Sequence, residues 1–243
     1  MSDERSDGRP VLSVIVPVYN ETGTVDELLR RVMDVPLDKQ VVVVDDGSTD
    51  GTATILQRWE NDGRVQLRRH QQNRGKGAAI RTGLEVARAR LTIVQDGDLE
   101  YDPQDYPRLI APLLAGDAQV VYGSRYCRGA SGARYWSVCR AGVVVLNQCV
   151  WWLYGQRLTD QATCYKVLST EVLKRLDLQC ERFEFCAEVT AKVCRLGLKI
   201  HEVPIRYDAR TVADGKKLRW RDGASALACL WRWRRWRGSS VAC

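Results

Sequence analysis

"VLSVIVPVYNETGTVDELLRRVMD" (Val11–Asp34) carries the pattern that decides the fold class. It opens on a continuous apolar run, Val11–Val18, the signature of a strand covered on both faces. A turn follows, with Thr24 or an earlier threonine as a cap, and then a segment of helical period. The unit recurs. "QVVVVDD" (Gln40–Asp46) is a second buried strand, and "GSTDGTATILQRWEN" turns into a second helix. "RVQLRRH" reads as a weaker, more polar strand and "GKGAAIRTGLEVARA" as a helix. "LTIVQD" is a buried strand, "PQDYPRLIAPLLAG" a helix opened by Pro103, and "AQVVYGSR" another strand. This alternation predicts a mostly parallel sheet with helices on both faces, an α/β fold whose ligands bind beyond the carboxyl ends of the strands. The polar groups fall there: Tyr19-Asn20-Glu21, Asp45-Asp46, Asp96–Asp98 and Ser124-Arg125.

After Arg125 the rhythm changes. A long helix is expected over Trp136–Tyr154, then a loop and short extended piece in "RLTDQATCYKVLS". A helix around Phe185–Leu196 and the strand "LKIHEVPIRY" follow. "DARTVADGKKLRWRDG" is polar and glycine-punctuated, the composition of a mobile loop. With no internal repeat or low-complexity linker, one domain with an elaborated C-terminal third is the simplest organisation.

The chain of 243 residues carries a net charge of +7, and Arg206–Cys243 holds ten Lys/Arg against three Asp/Glu, the whole excess. That end therefore suits an acidic partner: phospholipid, nucleic acid or a phosphorylated substrate. Nine cysteines without a C-x-x-C pair, and no apolar leader in "MSDERSDGRP", predict reduced thiols in a cytosolic setting. Two histidines make a histidine-based zinc site a poor expectation. The longest apolar segment, Ala141–Gly155, is shorter than a bilayer span and is interrupted by Asn147 and Gln148, so it reads as a buried or interfacial helix.

Three segments carry chemistry. In "LTIVQDGDLEYDP" (Leu91–Pro103), Asp96, Asp98, Glu100 and Asp102 alternate with other residues. On a continuing strand Asp96 and Asp98 share a face, and hard oxygen ligands at that spacing suit Mg²⁺ or Mn²⁺. A lone D-x-D fits a solvated turn equally well. In "VVVVDDGSTDGT" a pair of aspartates follows a buried strand, where a charge needs a reason. A carboxylate there can accept from a ribose or nucleobase, or Asp46 simply orders the turn. "NRGKGAA" (Asn73–Ala79) begins a helix with glycines and Lys76 but is neither a P-loop nor a dinucleotide fingerprint. Its glycines allow backbone to approach a ligand, or they only start the helix.

Together with "VIVPVYNE" these segments resemble the donor half of a family 2 glycosyltransferase with the GT-A fold. "QDGDLEYDP", "YGSRY", "LTDQATCYKVL", "FEFCAEVTAKVCRLGLKIHEVPIRYDAR" and "DGKKLRWRDG" extend the resemblance to the branch of dolichyl-phosphate mannosyltransferases and related polyprenyl-phosphate sugar transferases, over Val11–Gly223. The resemblance implies that Pro17, Tyr19, Glu21, Asp45, Asp46, Lys76 and Asp96 serve the nucleotide. It implies that Asp96, Asp98 and Glu100 serve a Mg²⁺ or Mn²⁺ ion. It places Arg125 and Arg140 at a lipid phosphate, and Arg210 and Lys217 on a loop that closes over the site. Gly97 stands where relatives often carry alanine. Near Val144 a serine usual in the family is replaced, which puts one expected phosphate hydrogen bond in question but not the resemblance.

On this resemblance the expected reaction is one inverting displacement from a nucleotide-sugar of the GDP-mannose or UDP-glucose type to a polyprenyl phosphate. A phosphate oxygen is already anionic and needs no base, which suits the scarcity of histidine. Asp160 is then a structural group, a sugar-binding group or, in relatives with hydroxyl acceptors, a base. Residues 1–10 are expected as a lead-in, 11–223 as the GT-A domain and 224–243 as a basic tail in which Trp231, Trp233 and Trp236 interleave with arginines. Tryptophan favours the membrane interface and arginine attracts anionic headgroups, so peripheral attachment to a cytoplasmic membrane face is expected, direct or through a small membrane-protein partner. The rival readings are a family 2 enzyme with a glycan or hydroxyl acceptor, and a non-enzymatic nucleotide- or nucleic-acid-binding protein. The acidic cluster argues against a nucleic-acid partner, because it repels a phosphate backbone.

Overall fold

The valines of β2 (Lys39–Asp45) divide between two faces of a sheet, as a period of two requires. Val42 and Val44 pack with Ala79, while Val41 and Val43 join the larger core. Each is buried, which contributes about 1.5–3 kcal/mol per side chain over leaving it exposed. The computed structural model describes residues 8–131, 138–209 and 220–238.

Within the described residues the other strands are β1 (Leu12–Val18), β3 (Gln66–Arg69), β4 (Leu91–Val94), β5 (Val120–Ser124), β6 (Lys166–Ser169) and β7 (Ile200–Pro204). They form one sheet in the order β3-β2-β1-β4-β6-β5-β7. β1 lies parallel to β2 and β4, β2 to β3, and β5 to β7, while β6 runs antiparallel to both neighbours. The helices are α1 (Val25–Asp34), α2 (Thr52–Asn61), α3 (Lys76–Val86), α4 (Tyr106–Leu114), α5 (Val138–Tyr154), α6 (Thr170–Arg175), α7 (Phe185–Arg195) and α8 (Trp220–Trp233). The mostly parallel α/β sheet expected from the sequence is present, and one edge collects the carboxyl ends of the six parallel strands.

Several local expectations change. β4 ends at Val94, so Asp96 and Asp98 lie in a turn rather than on a strand face. Pro103–Asp105 forms a 3₁₀ turn, with Asp102 accepting from the Gln104 N–H at 3.0 Å, and α4 starts only afterwards. α6 was not anticipated; Ser169 caps it by accepting from the Val172 N–H at 3.1 Å. Thr24 precedes α1 but makes no side-chain cap bond, because its hydroxyl donates to the Glu21 carboxylate and the Gly97 carbonyl. "WRDG" (Trp220–Gly223) belongs to α8, not to a loop. α8 crosses the 223/224 boundary and packs against α7 and α5, with Leu230 fully buried. Arg210 and Lys217 lie outside the described residues.

α5 buries Val143, Leu146 and Val150 on one face. Asn147 also faces inward, donating to the Thr159 carbonyl at 2.8 Å and accepting from the Gln161 N–H at 2.9 Å. The residue that interrupts the apolar run is thus a clasp on the loop before β6. Among the described residues no helix is long and apolar enough to cross a membrane.

Candidate active site

The acidic turn sits at the middle of the carboxyl edge, after β4. Leu99 turns the chain there at φ 61°, a left-handed conformation that is costly for a branched residue and is held by its packing against the core. Lys76, at the first turn of α3, forms an ion pair with Asp96. Burial acts to lower the Lys76 pKa, but Asp96 and its neighbours hold it well above the ordinary value. Asp98 has the opposite balance. Burial, then the charges of Asp96 and Glu100, push it up to about 7 against the pull of Lys76. Glu100 accepts from the Tyr207 hydroxyl at 2.6 Å. A Cβ on Gly97 meets Glu21 Cγ at 3.4 Å and the Pro17 carbonyl at 3.7 Å, so alanine fits there with little adjustment.

No group of three or more His, Cys, Asp or Glu among the described residues converges tightly enough to cage a metal. The donor set still fits a hard divalent cation of the Mg²⁺ type, which takes one or two carboxylates and fills its remaining positions with phosphate oxygens and water. A carboxylate raised by like charges is the group that gains most from such an ion.

The corner where a nucleoside is expected is built from three turns stitched together. The Asn20 N–H donates to Ser48 Oγ at 3.0 Å, the Thr49 N–H to Asn20 Oδ1 at 2.8 Å, and the Glu21 N–H to Thr52 Oγ1 at 3.0 Å. This places Tyr19 and Glu21 beside the Asp45–Thr52 turn, and Pro17 pairs with Val44 across β1 and β2. Asp45 accepts from the Ser48 N–H at 2.9 Å. Asp46 is buried and serves the protein: the Arg74 and Gly75 N–H groups donate to it at 2.9 and 2.7 Å, and His70 Nδ1 lies 2.6 Å away. His70 Nε2 reaches Thr82 Oγ1 at 2.9 Å, tying α3 to the end of β2. The glycines of "NRGKGAA" let protein come close. A Cβ on Gly77 sits 2.6 Å from the Cys180 carbonyl, and one on Gly75 sits 2.3 Å from that of Glu181.

Arg125 follows β5. Its Nε and Nη2 donate to the two oxygens of Asp160 at 2.7 and 2.8 Å, and its N–H adds a third bond at 3.0 Å. Asp160 is 0% exposed and the Arg125 side chain 11%. Both oxygens of Asp160 are thus anchored. The Thr159 and Asp160 N–H groups in turn donate to Glu202 on β7 at 2.8 and 2.9 Å. The Arg125 guanidinium lies over the Tyr207 ring at 4.9 Å and the Tyr126 ring at 5.4 Å, and Arg140 at the start of α5 lies over Tyr126 at 5.5 Å. Arg140 also lines a groove of about 270 Å³ with Val143, Val144, Asn147 and Leu158.

The structure therefore brings Lys76, Asp96, Asp98 and Glu100 together, and links Glu100 through Tyr207, Arg125 and Tyr126 to Arg140. Sequence reading did not single out Tyr207, Glu202 or His70. It also passed over Cys164, whose thiol lies 3.3 Å from Asp96 and 3.2 Å from Lys76. Gln161 is buried with no hydrogen-bond partner for either side-chain polar atom, a costly arrangement beside Asp160. Its only signal in the sequence is its place next to that aspartate.

A mostly parallel sheet with an acidic turn on its central carboxyl edge is the architecture of the GT-A class of glycosyltransferases. The family model "Glycosyl transferase family 2" matches residues 13–173, more than half of the chain, and the chain belongs to that family. The dodecaprenyl-phosphate galacturonate synthase of Rhizobium johnstonii is 30% identical over 207 residues, covering 82% of this chain and 59% of that protein. The dolichol-phosphate mannosyltransferase of Pyrococcus furiosus is 27% identical over 233 residues, covering 93% and 64%. Among solved structures, glucosyl-3-phosphoglycerate synthase from Mycobacterium tuberculosis, in complex with Mn²⁺, UDP and phosphoglyceric acid, matches with a TM-score of 0.69. It is 20% identical and covers 96% of this chain and 82% of that one, a likeness of fold.

Proposed function

We propose that this chain transfers a sugar from a nucleotide-sugar to a polyprenyl phosphate at a membrane surface, with inversion in a single displacement and with Mg²⁺ or Mn²⁺ as cofactor. The observation that carries the reading is the continuity of the two half-sites. The acidic turn and the Arg140 groove are joined by a run of contacts through Tyr207, Arg125 and Tyr126. A donor diphosphate and an anionic acceptor need such adjacent sites of opposite sign. The curated relatives act on dodecaprenyl and dolichol phosphates by name, with galacturonate in one and mannose in the other, so the acceptor class is common to them and the sugar is not.

The carboxylates of Asp98, with Asp96 or Glu100, are the groups to hold the cation, which stabilises negative charge on the departing diphosphate. Lys76 holds Asp96 in place. Tyr19, Glu21 and Asp45 lie on the turns that flank the nucleoside. Asp46 supports that corner indirectly, by fixing the Arg74–Gly75 backbone. On the acceptor side Arg125 is paired with Asp160, and Arg140, which lines the groove, supplies countercharge to a phosphate there. An anchored, fully buried Asp160 is poorly placed to act as a base on a hydroxyl acceptor, whereas a phosphate nucleophile requires no base.

The membrane surface is supported by α5 and α8. Val144, Val145, Trp151 and Trp152 are exposed along α5, Trp152 to 88%, and Trp231 on α8 to 58%. Arg157 lies over Trp151 and Arg234 over Trp231, a pairing of aromatic and cation suited to an anionic bilayer. Trp233 and Trp236 are half-buried, near Lys192, so the tail offers less aromatic surface than its sequence suggests.

The test is a mass-spectrometric assay of GDP- and UDP-sugars with Mn²⁺, against polyprenyl phosphate in anionic vesicles, free phosphoglycerate and free sugars. Product on the lipid alone is expected, and it should vanish with a chelator. Product only on hydroxyl acceptors would overturn the acceptor assignment, and flotation unchanged when Trp151, Trp152 and Trp231 become alanine would overturn the membrane face.

A further inference from the structure

Tyr207 stands where the two half-sites meet. It lies just past β7, and its backbone is fastened to the acidic turn: Tyr207 and Tyr101 form an isolated antiparallel bridge, and the Asp208 N–H donates to the Glu100 carbonyl at 2.9 Å. Its ring packs edge-on against Tyr101, with centroids 5.1 Å apart. From that fixed position the hydroxyl donates to Glu100 Oε2 at 2.6 Å, and the ring lies under the Arg125 guanidinium at 4.9 Å. One side chain thus sets a carboxylate of the donor half with its polar end and an arginine of the acceptor half with its face.

We propose that Tyr207 is a positioning residue that couples the two half-sites, its hydroxyl orienting Glu100 toward the cation and its ring backing the Arg125–Asp160 pair on which the acceptor side is built. The inference rests on the reading of Glu100 as a cation-facing group. Hydrogen bonds of this kind to a metal-binding carboxylate typically change affinity by about 10–100-fold. The ring has a separate task. Asp160 fixes the guanidinium along one edge, and Tyr207 and Tyr126 fix its faces. An aromatic ring keeps that contact whether or not it carries oxygen.

Two variants separate these roles. Tyr207→Phe removes the hydroxyl and keeps the ring; Tyr207→Leu removes both. Binding of Mn²⁺ alone, followed by the electron paramagnetic resonance signal of the free ion, should weaken about tenfold in Tyr207→Phe, with melting temperature and acceptor KM close to wild type. Tyr207→Leu should show the same Mn²⁺ loss and, in addition, a several-fold rise in acceptor KM. Wild-type Mn²⁺ affinity in Tyr207→Phe, with the wild type itself binding Mn²⁺, overturns the coupling and leaves the proposed reaction standing. Failure of the wild type to bind Mn²⁺ overturns the cation reading and the coupling with it. Equal acceptor KM in the phenylalanine and leucine variants overturns the role of the ring.

Discussion

The two halves of the site bury charge under opposite conditions. On the acceptor side Arg125 and Asp160 complete one another with three hydrogen bonds, and Glu202 holds the loop that carries Asp160. On the donor side burial, and then the charges of Asp96 and Glu100 on the same turn, hold the Asp98 proton to about pH 7 against the pull of Lys76. The acceptor side is finished scaffold. On the proposed reading the donor side is completed by a cation. Breaking a finished buried pair exposes its partner's desolvation cost, so the first prediction is the largest. Arg125→Ala should lose about 3–5 kcal/mol of stability, read as a fall in the midpoint of urea unfolding. A loss under 1 kcal/mol would mean that the pair is not buried as described.

The donor side should respond the other way. Asp98→Ala removes a like charge, so melting temperature should hold or rise, while transfer falls by about 10²–10³-fold, the scale of a lost electrostatic contact to the transition state. Turnover near wild type in a folded Asp98→Ala protein would remove this residue from the chemistry. A drop in stability as large as that of Arg125→Ala would erase the contrast between the halves.

Arg140 sharpens the comparison, since it belongs to the acceptor half without belonging to the buried pair. Its guanidinium reaches the groove from the start of α5. Arg140→Ala should raise acceptor KM roughly tenfold, the worth of one charge-assisted bond, and leave the unfolding midpoint unchanged. An unchanged KM would place the acceptor phosphate elsewhere.

The halves also differ in how far the sequence reveals them. β1, β2 and β4 are apolar runs whose burial on both faces is written in composition, and the polar residues at their ends fall on the edge where the site forms. β6 is short and flanked by polar residues, and its antiparallel direction between β4 and β5 follows from the path of the chain, which no local period records. The same limit governs the site. Asp96 and Asp98 announce themselves by spacing, although the turn at Leu99 replaces the strand geometry that spacing suggested. Lys76 with Asp96, Arg125 with Asp160 and Tyr207 with Glu100 are contacts between distant segments, and none leaves a local signature. Gly75 and Gly77 were legible as points of close approach. What approaches them, the Cys180 and Glu181 carbonyls, was not.

The smallest effect tests the comparison through pH. In cation-free protein the folded state keeps the Asp98 proton up to about pH 7, whereas the unfolded chain loses it near the ordinary value of 3.8. Between those values the folded state binds more protons, so stability from this group is fully present at low pH and is lost as pH rises through 7. The cation-free protein should melt a few degrees higher at pH 5 than at pH 8, at about 2–4 °C per kcal/mol for a chain of this size. Asp98→Asn, which cannot titrate, should flatten that slope. Mn²⁺ must displace the same proton, so its affinity should climb with pH and level off above 7. An identical slope in Asp98→Asn would locate the titration in another group, and the crowding of carboxylates that distinguishes the donor half from the acceptor half would lose its energetic consequence.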